Sequence, residues 1–243
     1  MARVVKEKEY AVRLNEILDS AQRLVYTKGY EQMSIQDILD DLKISKGAFY
    51  HYFNSKQALL EALVARMEQD AGKILVPVVQ DPQLPALEKL ECFFDSIARW
   101  KSAQKTYLLG LLSVWYADYN AIVRQKLVAG GIKWITPMLT EIIHQGVQEG
   151  VMNTPNPEQV GEVVVTLMVS LGDSIGGKIL SIGQDCDEQE RSECLHQMEN
   201  SVAVYTNAIE RVLGAPPGSL MLFDPAALKE WVVPPNGARQ EKD

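Results

Sequence analysis

Hydrophobic residues recur every three to four positions along most of the chain, which is the spacing of one buried face of an α-helix. The first such series runs from Leu14 to Val25 and is followed by Gly29, a residue typical of a helix C-terminus. Ser34 and Ser45 then each precede about two turns of helical pattern, and serine is a common helix N-cap. Because no alternating pattern of note indicates β-strands, the sequence predicts an all-α fold.

The rest of the chain divides into segments of helical pattern and the breaks between them. Pro77, Pro82 and Pro85 favour a linker or loop over residues 78–84. Further helices are predicted at about 87–98, 107–115, 122–150, 158–182 and 188–213. We therefore predict three regions, which are an N-terminal arm with two short helices (1–56), a larger helical domain (57–213) and a Pro- and Gly-rich C-terminal tail (214–243).

The composition is that of a globular protein with an acidic balance. Hydrophobic residues make up 47% of the 243 residues, and 24 Lys and Arg stand against 32 Asp and Glu, a net charge of −8. That balance argues against nucleic-acid binding, since phosphates are neutralised by clustered cations. The distribution of charge changes the picture, because residues 1–56 carry +1 (9 against 8) and residues 57–243 carry −9 (15 against 24).

The two short helices differ from the other predicted helices in their length and in the charge of the residues around them. Two such helices joined by a tight turn are the geometry of a helix-turn-helix, whose second helix reads the major groove of DNA. Residues 42–60 contain no Asp or Glu, whereas Lys43, Lys46 and Lys56 lie on or beside the second short helix. This basic surface suits DNA phosphates. A solvated lysine face on an ordinary helical domain is the alternative that the pattern leaves open.

Other residues of these helices fit the same use. Tyr50, His51 and Tyr52 carry donors that can reach phosphates, and the three side chains cannot all point inward. The helix N-terminus that Ser34 caps offers free N–H groups to an anion. Gly47 destabilises a helix by about 1 kcal/mol relative to alanine, and a close approach of the backbone to base edges would explain its presence.

The N-terminal part of the chain resembles the tetracycline-repressor (TetR) family. The resemblance covers about residues 10–65 and is most specific from Ser45 to Leu60. The matching segments are Ile17–Ala21, Tyr26–Tyr30, Ser34–Ile38 and Ile44–Leu60. The resemblance implies an N-terminal helix-turn-helix DNA-binding domain and a C-terminal helical domain for ligand binding and dimerisation.

The resemblance also implies roles for individual residues. Ser34 would contact a phosphate, and Lys46 and Gly47 would face bases in the major groove. The DNA backbone would be bound by Tyr50, His51, Tyr52 and Lys56, with Ser45 near the same surface. Tyr52 stands where the family often has histidine and His51 where it often has tyrosine, so both donors are present in exchanged order.

The N-terminal arm offers further cations. Arg3, Lys6 and Lys8 are candidates for contacts in the minor groove, although Glu7 and Glu9 lie between them. A frayed terminus is the alternative.

Aromatic residues are concentrated in one segment of the larger domain. Eight of the 18 aromatic residues fall within residues 93–134, and apolar pockets with a few polar groups are the usual small-molecule sites. With the family resemblance, we expect a pocket for a small apolar or aromatic effector. The candidate lining residues are Trp100, Tyr107, Leu111, Trp115, Trp134 and Met138.

Helical stripes near the C-terminus predict a homodimer. The segment from Val160 to Ile182 is apolar on one face and carries small residues on another, so it can pack closely on both sides. With the helix from Val202 to Leu213 it would build the four-helix interface that the resemblance implies. We expect a ligand-released repressor that binds a palindromic operator in double-stranded DNA. The alternative is a helical small-molecule- or partner-binding protein that does not bind DNA.

Several other classes are disfavoured by the motifs. The segment from Gly172 to Lys178 matches a phosphate-binding loop, but Ile179 occupies the place of the Ser or Thr that holds Mg²⁺. Cys186, Cys194 and His196 do not have a zinc-site spacing. We expect no enzymatic activity, no cofactor and no metal site.

The expected location is the cytoplasm. Three cysteines are too few for a disulfide framework, and the N-terminus lacks the apolar region of a secretory signal. The longest apolar stretch, Val163 to Leu171, contains Thr166 and Ser170 and is shorter than the roughly 20 residues of a membrane span. We therefore expect no membrane association.

Overall fold

The computed structural model describes residues 2–118, 121–182 and 186–232, and of residues 2–7, 113 and 123 it describes the backbone alone. In these ranges the chain forms ten α-helices and no β-strand, which confirms the all-α prediction. The helices are α1 (Ala2–Gln32), α2 (Ile35–Leu42), α3 (Lys46–Tyr50), α4 (Lys56–Gln80), α5 (Ala86–Ala103), α6 (Lys105–Tyr116), α7 (Ala121–Gln148), α8 (Pro157–Ser181), α9 (Glu188–Leu213) and α10 (Pro225–Val232).

The chain folds into two compact units. The N-terminal unit comprises residues 1–69 and 106–127, and the C-terminal unit comprises residues 70–105 and 128–243. The predicted boundary between residues 56 and 57 coincides with the start of α4, whereas the units divide later, within that helix. The reason is that the first half of α4 contributes to the N-terminal core through Leu59, Leu60 and Leu63.

The N-terminal unit has one hydrophobic core. The stripe of α1 predicted by its spacing is buried there, with Ile17 fully inaccessible to solvent. Phe49 of α3 is also fully buried, which attaches this short helix to the rest of the unit. α6 supplies three further buried side chains to the same core, Tyr107, Leu111 and Val114.

Two glycines determine how α1 and α6 meet. Gly29 has φ 75° and ψ 157°, so α1 is kinked there and continues to Gln32, whereas the sequence predicts that the helix ends at this glycine. α6 approaches α1 at Gly110, where a Cβ atom would lie 3.1 Å from the carbonyl oxygen of Val25. This close approach packs α6 directly against α1 in the N-terminal unit.

The C-terminal unit has a separate core. Its fully buried residues come from four helices and include Leu90, Phe93, Ile142, Val164 and Ile209. α8 packs along α9, and α10 packs on α9 and α5. The bounds of α8 and α9 agree with the predicted helices to within one residue.

The linker predicted over residues 78–84 is wrong in its first part, because α4 continues through Pro77 to Gln80. Pro77 removes one helical hydrogen bond, which costs about 3 kcal/mol in a helix interior. Leu75 and Val79 on either side of it are 1% and 2% exposed. Burying two such side chains stabilises the helix by about 1.5–3 kcal/mol each, enough to offset the proline.

The predicted tail over residues 214–243 contains ordered structure. α10 buries Leu228 and Val232. The segment before α10 is attached to α9 by a hydrogen bond from Leu220 N–H to Glu210 Oε1 at 3.1 Å. Residues 233–243 lie outside the described residues.

α8 differs from the expectation about membrane spans. Its most apolar window has a mean hydropathy of 1.6, so by length and composition alone the helix is sufficient to cross a membrane. The apolar stretch from Val163 to Leu171, on which that expectation rests, is only part of this helix. Only 22% of that window is buried within the chain.

Candidate nucleic-acid interface

Serine side chains cap the N-termini of both short helices, α2 and α3. Ser34 Oγ accepts a hydrogen bond from Asp37 N–H at 3.1 Å, and Asp37 Oδ2 accepts from Ser34 N–H at 2.7 Å. This reciprocal pair is a capping box at the start of α2. Lys43, with φ 51° and ψ 44°, ends α2, and Ser45 Oγ accepts from Ala48 N–H at 3.1 Å to begin α3. The predicted two-helix motif with its tight turn is confirmed.

α3 presents polar residues on its outer surface. Phe49 and Phe53 point into the core and are 0% and 4% exposed. Most of the predicted DNA-contacting residues are accessible to solvent. Tyr52 is half-buried, and the exposed residues are Ser45, Lys46, Gly47, Tyr50 and His51. Lys46 Nζ lies 5.9 Å from the centroid of the Tyr50 ring.

Gly47 is not required by packing within the protein. Among the residues whose side chains the structure describes, a Cβ atom at this position would have one neighbour within 4 Å, Ser45 Oγ at 3.9 Å. Since φ at Gly47 is not positive, the backbone does not require glycine either. The residue therefore leaves open space on the outer surface of α3, which is where an external partner would approach.

Lys56 is placed at the start of α4 by contacts with the end of α1. Its Nζ donates to the Glu31 carbonyl oxygen at 3.2 Å and lies 4.3 Å from the centroid of the Tyr30 ring. The Tyr30 hydroxyl in turn donates to the Lys56 carbonyl oxygen at 2.8 Å. Burial lowers the pKa of Lys56, while the charges of Glu31 and Asp37 oppose that shift.

An acidic group lies beside Ser34 at the start of α2. Asp37 Oδ2 is 2.6 Å from Lys28 Nζ and accepts from the Ser34 hydroxyl at 2.7 Å. The hydrogen bonds from Lys28 and then from Ser34 hold the pKa of Asp37 well below its usual range. The hydroxyl of Ser34, a predicted phosphate donor, is therefore already hydrogen-bonded to a carboxylate within the protein.

Tyr10, a residue that is not among the predicted DNA contacts, lies beside the predicted interface. Its ring lies 4.7 Å from the Tyr52 ring and 5.9 Å from the His51 ring, centroid to centroid. Tyr10 is 42% exposed, so no helical stripe marks it. In the N-terminal arm Lys8 is exposed, and the side chains of Arg3 and Lys6 lie outside the described residues.

The predicted effector-site residues divide between the two units. Tyr107, Leu111 and Trp115 belong to the N-terminal unit, and Trp100, Trp134 and Met138 to the C-terminal unit. In the C-terminal unit Trp134 packs tightly over Gly72, where a Cβ atom would lie 2.9 Å from the indole.

A small apolar pocket lies within the N-terminal unit, between α4, α6 and the start of α7. Its volume is about 20 Å³, which is room for one or two water molecules. Two of the six predicted residues line it. The lining residues are Leu60, Val64, Leu111, Val114, Trp115, Arg124 and Leu127.

Tyr107 lies in the core of the N-terminal unit and does not line this pocket. Its ring stacks on Tyr26 at 5.2 Å, and its hydroxyl is buried without a hydrogen-bond partner among the described residues. Burial raises the pKa of the Tyr107 phenol far above its usual range.

Over the described part of the chain, no group of three or more His, Cys, Asp or Glu residues is placed to hold a metal ion.

The capped helix pair and the exposed polar surface of α3 define a helix-turn-helix protein. The model of the family described as "Bacterial regulatory proteins, tetR family" matches residues 17–63, from α1 into α4. A second model, "Tetracyclin repressor-like, C-terminal domain", matches residues 115–174. The chain belongs to the tetR family of transcription regulators, which confirms the predicted resemblance.

Individual relatives agree with this assignment. The chain is 25% identical to the HTH-type transcriptional repressor DhaR of Mycobacterium sp. (strain GP1) and 27% identical to the HTH-type transcriptional regulator EthR of Mycolicibacterium smegmatis. These matches span 52% and 51% of this chain, and 64% of the length of each relative. A TetR-family regulator from Pectobacterium atrosepticum has a similar fold, with a TM-score of 0.60, 15% identity and coverage of 86% of this chain and 98% of that one.

Proposed function

We propose that the protein is a sequence-specific DNA-binding transcription regulator that acts as a ligand-released repressor. The observation that carries the proposal is the outer surface of α3, where exposed Lys46, Gly47 and Tyr50 have no structural role in the core. A short capped helix within a segment that has no Asp or Glu, residues 42–60, suits the major groove of DNA. The acidic remainder of the chain repels DNA, which confines binding to this surface.

The residues divide into those that read sequence and those that bind the backbone. Lys46 and Gly47 at the start of α3 face the bases, because a helix-turn-helix contacts base edges with the N-terminal residues of its second helix. The phosphate contacts come from Ser34, Tyr50, His51, Tyr52 and Lys56, with Ser45 at the same surface. Lys56 keeps ammonium protons for a phosphate beside the one it donates to Glu31.

A homodimer formed by α8 and α9 is part of the proposal. α8 is apolar yet mostly unburied in the single chain, and Val163 and Val204 on the two helices are 43% and 67% exposed. Cβ atoms at Gly172 and Gly177 would have no atom of the described residues within 4 Å, so another helix can approach closely. Two-fold symmetry then requires a palindromic operator with half-sites about one helical turn, or a multiple of it, apart.

A small apolar or aromatic effector would bind in the N-terminal unit at the pocket beside Leu111 and Trp115. Typical ligand sites measure about 300–1,000 Å³, so an effector must widen the pocket by separating α6 from α4. α4 begins six residues after α3 ends. A movement of α4 away from α6 therefore also displaces α3, the helix that faces the DNA bases. Because the effector binds the state with the widened pocket more tightly, it raises the population of that state, and the protein is released from DNA.

The proposal includes a cytoplasmic location and no enzymatic activity. The chromosomal DNA that a repressor must reach lies in the bacterial cytoplasm. The alternative is a helical protein that binds a small molecule or a partner and not DNA.

Selection and salt dependence test the DNA-binding role. The wild-type protein is used to select duplexes from a random-sequence library, and binding to the selected duplex is measured by fluorescence anisotropy at several salt concentrations. We expect an inverted repeat and a steep loss of affinity with salt. Lys46→Gln should weaken binding, and Lys133→Gln, at an exposed lysine of α7, is the matched control. Absence of binding to any duplex at low salt would favour the alternative.

A further inference from the structure

A cluster of three rings connects α1 to the residues that follow α3. The Tyr10 and Tyr52 rings lie 4.7 Å apart with an interplanar angle of 33°, and Tyr10 meets His51 at 5.9 Å and 77°. His51 and Tyr52 are 5.1 Å apart at 87°. Each side chain therefore contacts the other two, and we call Tyr10, His51 and Tyr52 the aromatic trio.

The aromatic trio lies at the surface rather than in the core. Tyr10 is 42% exposed and His51 is also exposed, while Tyr52 packs only partly against the core of the N-terminal unit. Aromatic pairs in tilted or edge-to-face arrangements attract each other beyond the effect of burial. A half-exposed ring in such a cluster restricts the orientations of its neighbours without filling an internal space.

We propose that Tyr10 is a positioning residue of the DNA interface, which holds the Tyr52 and His51 side chains in the orientation that reaches the DNA backbone. The inference rests on the proposed DNA binding and adds a residue of α1 to it. Without the Tyr10 ring, both side chains would have to be ordered when DNA binds, and ordering side chains at an interface lowers affinity. Partial loss of order at two side chains corresponds to about a 3- to 10-fold weaker complex.

The first experiment compares removal of the ring with removal of the hydroxyl. The full-length protein and the duplex selected by the wild type are used, with affinity measured by fluorescence anisotropy at several salt concentrations. Tyr10→Ala should bind about 3- to 10-fold more weakly and with a salt dependence reduced by about one phosphate contact. Tyr10→Phe keeps the ring and should bind within about two-fold of the wild type. Val12→Ala, at a residue of the same helix that is 59% exposed, is the matched control.

A double-mutant cycle separates a role through Tyr52 from an independent one. If Tyr10 acts through the aromatic trio, Tyr10→Ala should cause a smaller loss in a Tyr52→Ala background than in the wild type. Circular dichroism and thermal melting confirm that each variant is folded, and Tyr10→Leu replaces Tyr10→Ala if the alanine variant does not fold.

Three results would overturn the inference. They are wild-type affinity of the ring-deleted variant, an equal loss in both backgrounds of the cycle, and a loss with Tyr10→Phe as large as with Tyr10→Ala. Failure of the wild-type protein to bind any duplex is a different outcome, because it refutes the proposed DNA binding itself.

Discussion

Replacing Tyr107 by phenylalanine removes one oxygen atom from the N-terminal core and should stabilise the protein. The side chain is fully buried and its hydroxyl has no partner among the described residues. A buried, unpaired polar group costs about 1–3 kcal/mol. The substitution relieves that cost while keeping the ring that stacks on Tyr26. We expect the free energy of unfolding to rise by about 1 kcal/mol, the lower end of that range.

Thermal unfolding followed by circular dichroism measures this effect. For a chain of this size, about 1 kcal/mol corresponds to a midpoint about 2–4 °C higher. Tyr26→Phe is the matched control, since Tyr26 is 37% exposed. This substitution should change the free energy of unfolding by less than about 0.5 kcal/mol. A fall in the midpoint of Tyr107→Phe would refute the reasoning, because it would show that the hydroxyl is hydrogen-bonded in solution.

Three further predictions concern the same unit. Above pH 10, near the ordinary pKa of tyrosine, wild-type stability should fall with pH and Tyr107→Phe should resist that fall. The reason is that burial raises the pKa of Tyr107, so in this pH range the unfolded state loses the phenol proton and the folded state keeps it. Melting temperatures measured as a function of pH test the difference, and parallel curves for the wild type and the variant would contradict it. Gly47→Ala should leave folding stability unchanged or raise it by up to about 1 kcal/mol, yet weaken binding to the selected duplex; unimpaired binding would contradict a close approach to DNA. Lys46→Ala should relax sequence preference, whereas Lys56→Ala should weaken binding to all duplexes alike and reduce the salt slope by about 1. An unchanged affinity of Lys56→Ala at moderate salt would refute its phosphate role.

The parts of the fold that local sequence determines were predictable. Ser34 and Ser45 cap helices through bonds to residues three positions along the chain, so the two-helix motif could be identified from the sequence alone. Phe49 and Phe53 are four residues apart in the sequence, the spacing of one helix face, and both side chains face the core. The surface opposite that side is the candidate interface.

Features that depend on distant residues could not be predicted in this way. The continuation of α4 past Pro77 depends on the burial of Leu75 and Val79 by other helices. The ring of Tyr10 meets residues of a different helix, and its exposure removes the periodic signal that marks core positions. The unpaired hydroxyl of Tyr107 follows from packing alone, because a tyrosine in an apolar stripe has the same pattern whether or not its oxygen finds a partner.

The discontinuous N-terminal unit has a consequence for engineered regulators. Its core is completed by Tyr107, Leu111 and Val114, which follow the α4 segment only after an excursion of the chain through residues 70–105. A fragment that ends at Gln69 would expose the apolar surface that these side chains cover. A hybrid regulator that is to contain an intact N-terminal unit of this protein therefore has to include two separate segments, 1–69 and 106–127, rather than one N-terminal segment.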